Sequence, residues 1–275
     1  MAGVRDVASV PEGAALQKYN LCPTNYLVCV LDDGIGLERS VRLMKWGLEP
    51  RFVPTQSLST INARIEGVLT SKVYGPLINE QRCVVIVDGF YEWHQAKNEK
   101  IPYLMQFGSD VIEHPILRQG LSSKAETSPE HARVDESSAS CVLPVGVSPL
   151  LLAGIYDFSK TTLEYTCSIL TTEACGPVSK VHSRMPVFLS PESARNWLSQ
   201  EPFEGVVGSI IRTSRELAGK LVCKQVSSLV NSISNKSIEV TYPASEMKKR
   251  SFEQGLGRFF SPTSAEEKKM KLSPG

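Results

Sequence analysis

The segment 83–93 most constrains how this chain can fold. Residues 83–87 are apolar and consist mainly of Val and Ile, a composition typical of a strand that is buried on both faces. Asp88-Gly89 then forms a turn, and three aromatic residues follow it around a single carboxylate, Glu92. Burial among aromatic rings would raise the pKa of this carboxyl and make it a usable acid or base. A strand end whose glutamate points into water explains the same segment equally well.

Composition limits the other classes of function. The chain has 275 residues, of which 41% are hydrophobic, and this is enough for one large domain or two small ones with a full core. No apolar run has the length of a signal peptide or a membrane span, which predicts a soluble intracellular protein without a membrane partner. The seven cysteines never stand in a C-x-x-C spacing, so neither a disulfide framework nor a metal site is expected, and no cofactor is predicted.

The elements read along the chain predict an α+β fold. Strand-like runs occur at 26–31, 41–52, 101–107, 150–156, 165–171 and 221–226, and we expect the run 101–107 to pair with the strand at 83–87. A Ser190-Pro191 pair predicts the start of a helix, and a second helix fits residues 206–217.

Two segments lack the apolar residues that a folded core needs. Residues 118–140 are polar and rich in Ser, which predicts a disordered insertion within a folded domain spanning 1–244. Residues 245–275 are predicted to form a disordered basic tail, with apolar side chains within 253–260 that suit a short helix folding into a partner's groove.

Two short segments carry polar side chains in a defined spacing. Asn62 and Arg64 are two residues apart, so on a strand they point the same way and suit an anion or a sugar; a surface ion pair between Arg64 and Glu66 is the alternative. Pro186 forbids a helix just before it, which holds His182 and Arg184 in an extended geometry. A loop histidine bonded to the backbone is the alternative for His182.

Seven motifs in a fixed order resemble those of the SRAP family of abasic-site processing proteins, over roughly residues 19–232. They are Tyr19-Asn20, Met44-Lys-Trp-Gly-Leu48 with Pro50, Ile61-Asn-Ala-Arg64, Asp88-Gly-Phe-Tyr-Glu-Trp93, Ala153-Gly-Ile-Tyr-Asp157, His182-Ser-Arg-Met-Pro186 and Val226-Ser-Ser228. The resemblance implies a single domain built on a mixed, barrel-like β-sheet with a few flanking helices. It also implies a cleft for single-stranded DNA.

The resemblance further implies a covalent reaction. In this family an N-terminal cysteine condenses with the ring-opened aldehyde of an abasic site, first as a Schiff base and then as a thiazolidine that shields the lesion at replication forks. By the same resemblance Glu92 is the acid/base, His182 holds or protonates the sugar oxygen, Asn62 positions amine and sugar, and Arg64 pairs with a phosphate. Further DNA contacts are expected from Trp46, Pro50, Phe52, Asn20 and Arg184, the first three as an apolar wall for bases.

The family's N-terminal Met-Cys-Gly-Arg is absent, since this sequence begins Met1-Ala2-Gly3. Three explanations stand side by side. A longer form of the protein carries the cysteine; or the α-amine of Ala2, exposed by removal of Met1, forms a reversible Schiff base and drives β-elimination; or only DNA binding remains. Cys22 is not expected to replace the missing nucleophile, because it lacks a partnered free amine.

Two rival functions and a partner site complete the predictions. The first rival is a non-catalytic module that reads single-stranded or damaged DNA and recruits the replication machinery. The second, a small-molecule hydrolase using Glu92 and His182, lacks a nucleophile motif such as G-x-S-x-G. In the tail, four residues resemble a degenerate sliding-clamp box, although they equally fit a chance apolar cluster: Glu253, Leu256, Phe259 and Phe260. A monomer located in the nucleus, at replication forks, is expected.

Overall fold

A computed structural model describes residues 19–32, 39–52, 60–97, 99–108, 148–247 and 249, together with the backbone of residues 4–5. Three predictions lie outside the described residues: the α-amine of Ala2, the disordered insertion at 118–140 and the clamp-like motif at 253–260. Residues 244–247 are helical, so described structure continues past the predicted start of the tail at residue 245.

Within these ranges the chain forms twelve strands and two α-helices. The strands are β1 (Val4–Arg5), β2 (Tyr26–Asp32), β3 (Arg39–Trp46), β4 (Asn62–Arg64), β5 (Arg82–Val87), β6 (Phe90–Gln95), β7 (Lys100–Phe107), β8 (Leu150–Phe158), β9 (Tyr165–Glu173), β10 (Arg184–Pro186), β11 (Phe188–Leu189) and β12 (Leu221–Gln225). The helices are α1 (Pro191–Trp197) and α2 (Phe203–Ala218).

The main sheet closes on itself. Strands β3, β2, β5, β8 and β9 pair in that order through antiparallel ladders, and β9 then pairs in parallel with β3, where Trp46 lies opposite Cys167. The strands β1, β4, β10 and β11 attach to this ring at β3, β9, β9 and β8. The predicted α+β fold on a mixed sheet with few helices is therefore confirmed.

The central strand is buried on both faces, as its sequence predicts. Along β5 the alternate residues Cys83 and Val85 pack into the core inside the ring, while Val84 faces a second core beneath the helices. Trp197 of α1 is fully buried in that second core, and its indole N–H donates to the carbonyl oxygen of Cys83 at 3.0 Å. Ser190 caps α1 as predicted by accepting a hydrogen bond from the backbone N–H of Ser193.

The prediction that 101–107 pairs with the central strand is wrong. Strand β7 pairs with β6 and β12 in a separate three-stranded sheet, while β5 pairs with β2 and β8. The cause is Asp88-Gly89, which takes the chain out of the ring before β6 begins. A Cβ at Gly89 would lie only 2.7 Å from the carbonyl oxygen of Met105, so this close approach to β7 requires glycine.

The turn into β6 and the strand β1 lie at opposite ends of the ring. Because Val28 pairs with Ile86 and Tyr26 with Lys45, β3 and β5 both finish at the end where β2 begins. That end leads into β6 and its glutamate. Strand β1 pairs with Arg39 and Ser40 at the start of β3. At the rise of an extended strand, this pairing lies about 20 Å from Trp46, the last residue of β3.

Candidate functional site

Glu92 lies on β6, on the face that turns toward the ring. On the same face Phe90 packs against Phe188, with ring centroids 5.9 Å apart, whereas Tyr91 and Trp93 point the other way into a small apolar cluster. The Glu92 side chain is 23% exposed, and this burial raises the pKa of its carboxyl, while the nearby His182 lowers it by a smaller amount. Burial thus disfavours the ionised form of this carboxyl, although only Phe90 of the three aromatic residues shares its face of the strand. Its role as a proton carrier stays a prediction.

His182 faces this carboxyl from the loop before β10. Its Nδ1 lies 3.7 Å from Glu92 Oε1, close enough for charge attraction but long for a hydrogen bond. The same Nδ1 lies 3.2 Å from the backbone nitrogen of Arg184 and 3.0 Å from its carbonyl oxygen. An unprotonated Nδ1 accepts from that N–H, and a protonated one donates to that oxygen, so the ring can gain or lose this proton without turning.

Arg184 is anchored by a second carboxylate. Its guanidinium donates two hydrogen bonds to Glu66, at 2.9 and 2.8 Å, and a third to the carbonyl oxygen of Thr171 at 2.8 Å. These bonds lower the pKa of Glu66. The alternative ion pair between Arg64 and Glu66 is therefore wrong, and a phosphate contact by Arg184 stays a prediction.

Asn62 and Arg64 extend outward from β4, and Ala63 between them is buried. Strands β4 and β10 flank β9 on opposite sides. Thr171 of β9 lies opposite Arg64 of β4 and also opposite Pro186 of β10. Within the described part of the chain, neither side chain of this pair has a hydrogen-bond or ion-pair partner. Both are thus placed near the anchor of Arg184, with their polar groups available to a ligand.

The predicted apolar wall is only partly exposed. Trp46 is half-buried and donates its indole N–H to the carbonyl oxygen of Ile61 at 2.9 Å, which joins it to the start of β4. Pro50 is buried, whereas Phe52 is 44% exposed. Of the three residues, Phe52 therefore offers the largest surface for stacking against a base.

Asn20 has a structural position. It is 7% exposed, its φ of 50° is left-handed, and its amide donates to the carbonyl oxygens of Val230, Ser232 and Asn235 at 3.0–3.2 Å. These bonds hold the loop 228–236 against the segment 19–25. A DNA contact by Asn20 stays a prediction.

Sequence reasoning missed Lys236, which belongs to the same loop. Its Nζ lies 3.3 Å from the Sγ of Cys22 and 3.3 Å from the Oδ1 of Asn25, and it also donates to the carbonyl oxygen of Asn20. Cys22 therefore contacts a lysine side chain, a neighbour that the sequence did not predict. No sequence pattern reveals this pair, because its members are 214 residues apart.

The described residues contain no group of three or more His, Cys, Asp or Glu side chains arranged to hold a metal ion. Among the helices in the same ranges, none combines the length and the apolar character that a membrane crossing demands.

Comparisons with known proteins agree on one family. Residues 4–233 match the family described as SOS response associated peptidase (SRAP). The abasic site processing protein HMCES of Gallus gallus is 32% identical over 227 residues, which is 78% of this chain and 60% of that protein. The abasic site processing protein YoqW of Bacillus subtilis is 27% identical over 235 residues, which is 84% of this chain and 88% of that protein.

Solved structures show a similar fold. The crystal structure of a Bacteroides thetaiotaomicron protein matches with a TM-score of 0.55 and 20% identity over 80% of this chain and 82% of that chain. A Bordetella bronchiseptica protein matches with a TM-score of 0.53 and 17% identity over 75% of this chain and 86% of that chain. With the family match covering most of its length, the chain belongs to the SRAP family.

Proposed function

We propose that this protein processes abasic sites in single-stranded DNA by reacting with the ring-opened sugar aldehyde to form a DNA–protein adduct. The observation that carries the proposal is the contact of Glu92 with His182, 3.7 Å apart, in a chain of this family. The relatives' name, abasic site processing protein, supports the choice of substrate. While it persists, the adduct would protect the lesion at replication forks in the nucleus; where β-elimination follows, the protein would act as a lyase.

The chemistry requires an amine and two proton transfers. The amine lone pair attacks the aldehyde carbon to give a carbinolamine, which loses water once its hydroxyl is protonated and leaves an imine. Glu92, whose pKa is raised by burial, would supply that proton, and His182 would carry the proton released by the amine. From the imine, loss of the proton next to the former aldehyde carbon expels the 3′ phosphate by β-elimination. The amine we propose is the α-amine of Ala2 after removal of Met1.

DNA would be held by the outward side chains of β4 and by Phe52. Arg64 has no charged partner among the described residues and would pair with a phosphate, and Asn62 beside it would contact the sugar. Phe52 would stack on a base. Arg184 would reach a phosphate only after leaving Glu66, so we propose that it contributes less to affinity than Arg64 does.

One observation favours a second candidate, a non-catalytic module that reads single-stranded or damaged DNA and recruits the replication machinery. Strand β1 pairs at the start of β3, at the opposite end of that strand from the turn into β6. An N-terminal amine that remained beside β1 would not reach Glu92, and binding without an adduct would follow. A monomer that engages the sliding clamp through residues 253–260 fits either candidate.

The test uses single-stranded DNA with one abasic site, separated on denaturing gels with and without borohydride. We expect the α-amine of Ala2 to give a slower-migrating adduct that needs borohydride, because an imine from an ordinary amine hydrolyses unless it is reduced. The control is the same DNA with a tetrahydrofuran residue, which has no aldehyde and should give no adduct. Binding of both DNAs without an adduct in any lane would refute the enzyme and support the binding module.

A further inference from the structure

A thiol and an amine lie in contact outside the pair formed by Glu92 and His182. Cys22 Sγ is 3.3 Å from Lys236 Nζ, and both groups also contact Asn25 Oδ1, at 3.4 and 3.3 Å. Both side chains are partly exposed, so a small molecule in solvent can reach them. The pair is not needed to close the core, because the surrounding loop is already held by the amide of Asn20.

The contacts fix the nitrogen beside the sulfur. An ammonium group has three donors, and Lys236 directs them to Asn20, Asn25 and Cys22. The thiol of Cys22 donates to Asn25 Oδ1. Loss of one ammonium proton from Lys236 to solvent water leaves a neutral amine, whose lone pair can add to an aldehyde.

The pair lies at the end of the ring that leads toward Glu92. The backbone N–H of Thr24 donates to the carbonyl oxygen of Trp46 at 2.8 Å, and the N–H of Trp46 donates to the carbonyl of Asn25 at 2.8 Å. The loop that carries Lys236 also accepts, through Asn231 Oδ1, a 2.7 Å hydrogen bond from the indole of Trp93, next to Glu92. The described part of the N-terminal strand, in contrast, pairs at the other end of β3.

We propose that Cys22 and Lys236 together form an aldehyde-capturing site whose substrate is the open-chain aldehyde of deoxyribose. The amine of Lys236 adds to the aldehyde carbon, water leaves, and an imine forms. The sulfur of Cys22 then bonds to that carbon while the imine nitrogen takes up the thiol proton. One aldehyde, one amine and one thiol thus give one N,S-acetal and one water, with no oxidant or reductant.

Two neighbouring side chains replace what one N-terminal cysteine supplies when amine and thiol belong to the same residue. Holding both groups beside each other makes the second bond an intramolecular step, which raises its effective concentration. The proposal rests on the proposed function only for the identity of the aldehyde, because the capture itself needs no DNA.

The test incubates the full chain with 2-deoxyribose 5-phosphate, which presents the sugar aldehyde without DNA. Without reductant, we expect the sugar to protect Cys22 from iodoacetamide, while Cys175 and Cys223, which are also partly exposed, remain reactive. With cyanoborohydride followed by digestion and mass spectrometry, we expect the reduced adduct on Lys236 to form about tenfold faster than on Lys224, an exposed lysine of β12.

Variants separate this capture from ordinary lysine chemistry. Lys236→Arg should abolish the protection of Cys22. Cys22→Ser should lower the unreduced adduct by about tenfold but leave an imine that cyanoborohydride traps. The matched controls Lys224→Arg and Cys175→Ser should change neither result. Trapping at Lys236 no faster than at Lys224, or equal protection of all three cysteines, would overturn the proposal.

Abasic DNA distinguishes a failure here from a failure of the proposed function. If the DNA adduct forms but maps to another residue while Cys22 and Lys236 behave like the controls, the capture site is refuted and the proposed function stands. If the free sugar is captured at Lys236 while abasic DNA is neither bound nor modified, the capture site stands and the proposed function fails.

Discussion

Two carboxylates face the same short segment of chain and have opposite properties. Glu92 faces His182 and is 23% exposed, and burial raises its pKa; Glu66 faces Arg184 and is 52% exposed, and two hydrogen bonds from the guanidinium lower its pKa. The identity of the side chain is the same in both places. The difference lies in the environment: burial raises the pKa of Glu92, and pairing with a guanidinium lowers that of Glu66. We propose that the first carboxyl carries protons and that the second serves as an anion.

The two carboxylates are connected through Arg184. The side chain of Arg184 is bound to Glu66, and its backbone N–H and carbonyl oxygen both contact Nδ1 of His182. The ion pair with Glu66 therefore holds the backbone that the imidazole of His182 contacts. We infer that Glu66 is a positioning residue, so its removal should act through His182 rather than on the reacting atoms.

The largest effect is expected from removing the proton of Glu92. Glu92→Gln keeps the shape of the side chain but cannot ionise, so we expect adduct formation with abasic DNA to slow by about 10²- to 10⁴-fold. Affinity for the DNA should remain within about twofold, since we propose no phosphate contact for this group. Single-turnover gels and fluorescence anisotropy measure the two quantities separately.

Glu92→Gln should slow the reaction without lowering the stability of the protein. Because the pKa of Glu92 is raised in the folded protein, ionisation costs stability as pH rises above the ordinary value of about 4.3. Glu92→Gln removes that cost, so it should be at least as stable as the wild type in urea at pH 7. Glu99→Gln, an exposed glutamate of the same hairpin, is the control and should change neither rate nor stability. Equal losses of rate and affinity in Glu92→Gln would contradict its role as proton carrier.

The next effect is expected at His182. His182→Ala removes the second proposed proton carrier, which lies 3.7 Å from Glu92, so we expect the rate to fall by about 10²-fold. Without the imidazole the pKa of Glu92 should rise further, because His182 lowers it in the wild type. The pH–rate profile should therefore shift to higher pH. The control is His94→Ala, which replaces an exposed histidine on β6, the strand of Glu92. It should leave the pH–rate profile unchanged.

The sequence predicted the parts of this arrangement that depend on local patterns. Apolar runs predicted the strands, and Pro186 correctly predicted an extended segment at Arg184. His182, predicted to share that geometry, lies instead in the loop before the strand, where its backbone N–H donates to the carbonyl oxygen of Val178. The partner of Glu66 was not predictable, because Arg184 lies 118 residues away and Arg64 offered an equally charged partner nearby. The strand pairing of β7 was missed for a related reason. Local sequence shows that a strand is apolar, but the turn at Asp88-Gly89 decides which sheet it joins.

A smaller effect is expected from releasing the anchor. Glu66→Gln loses the bidentate ion pair, so the backbone of Arg184 and the ring of His182 should be held less firmly, and we expect adduct formation to slow by about tenfold. A purely structural role would lower the melting temperature and leave the pH–rate profile in place, whereas a positioning role should broaden or shift it. Glu66→Asp should restore part of the rate. If Glu66→Gln reacted at a rate within twofold of the wild type, Glu66 would have no positioning role and only Glu92 would contribute to the reaction.

The smallest effect is the pH dependence of stability that Glu66 confers. The ion pair is half-exposed and screened by solvent, so Glu66→Gln should cost only about 0.5–1 kcal/mol in the free energy of unfolding at pH 7. Because the folded-state pKa of Glu66 is lowered, this contribution is fully present above the ordinary value of about 4.3. It should decline as pH falls below that value and vanish below the lowered pKa. In urea titrations at pH 7, 5, 4 and 3, the free energies of unfolding of the wild type and Glu66→Gln should therefore become equal toward acid pH. For Glu92→Gln the opposite trend is expected, because the variant should gain stability over the wild type as pH rises. A cost of Glu66→Gln that stayed constant down to pH 3 would mean that Glu66 acts through packing rather than charge, and the contrast between the two glutamates would lose its electrostatic basis.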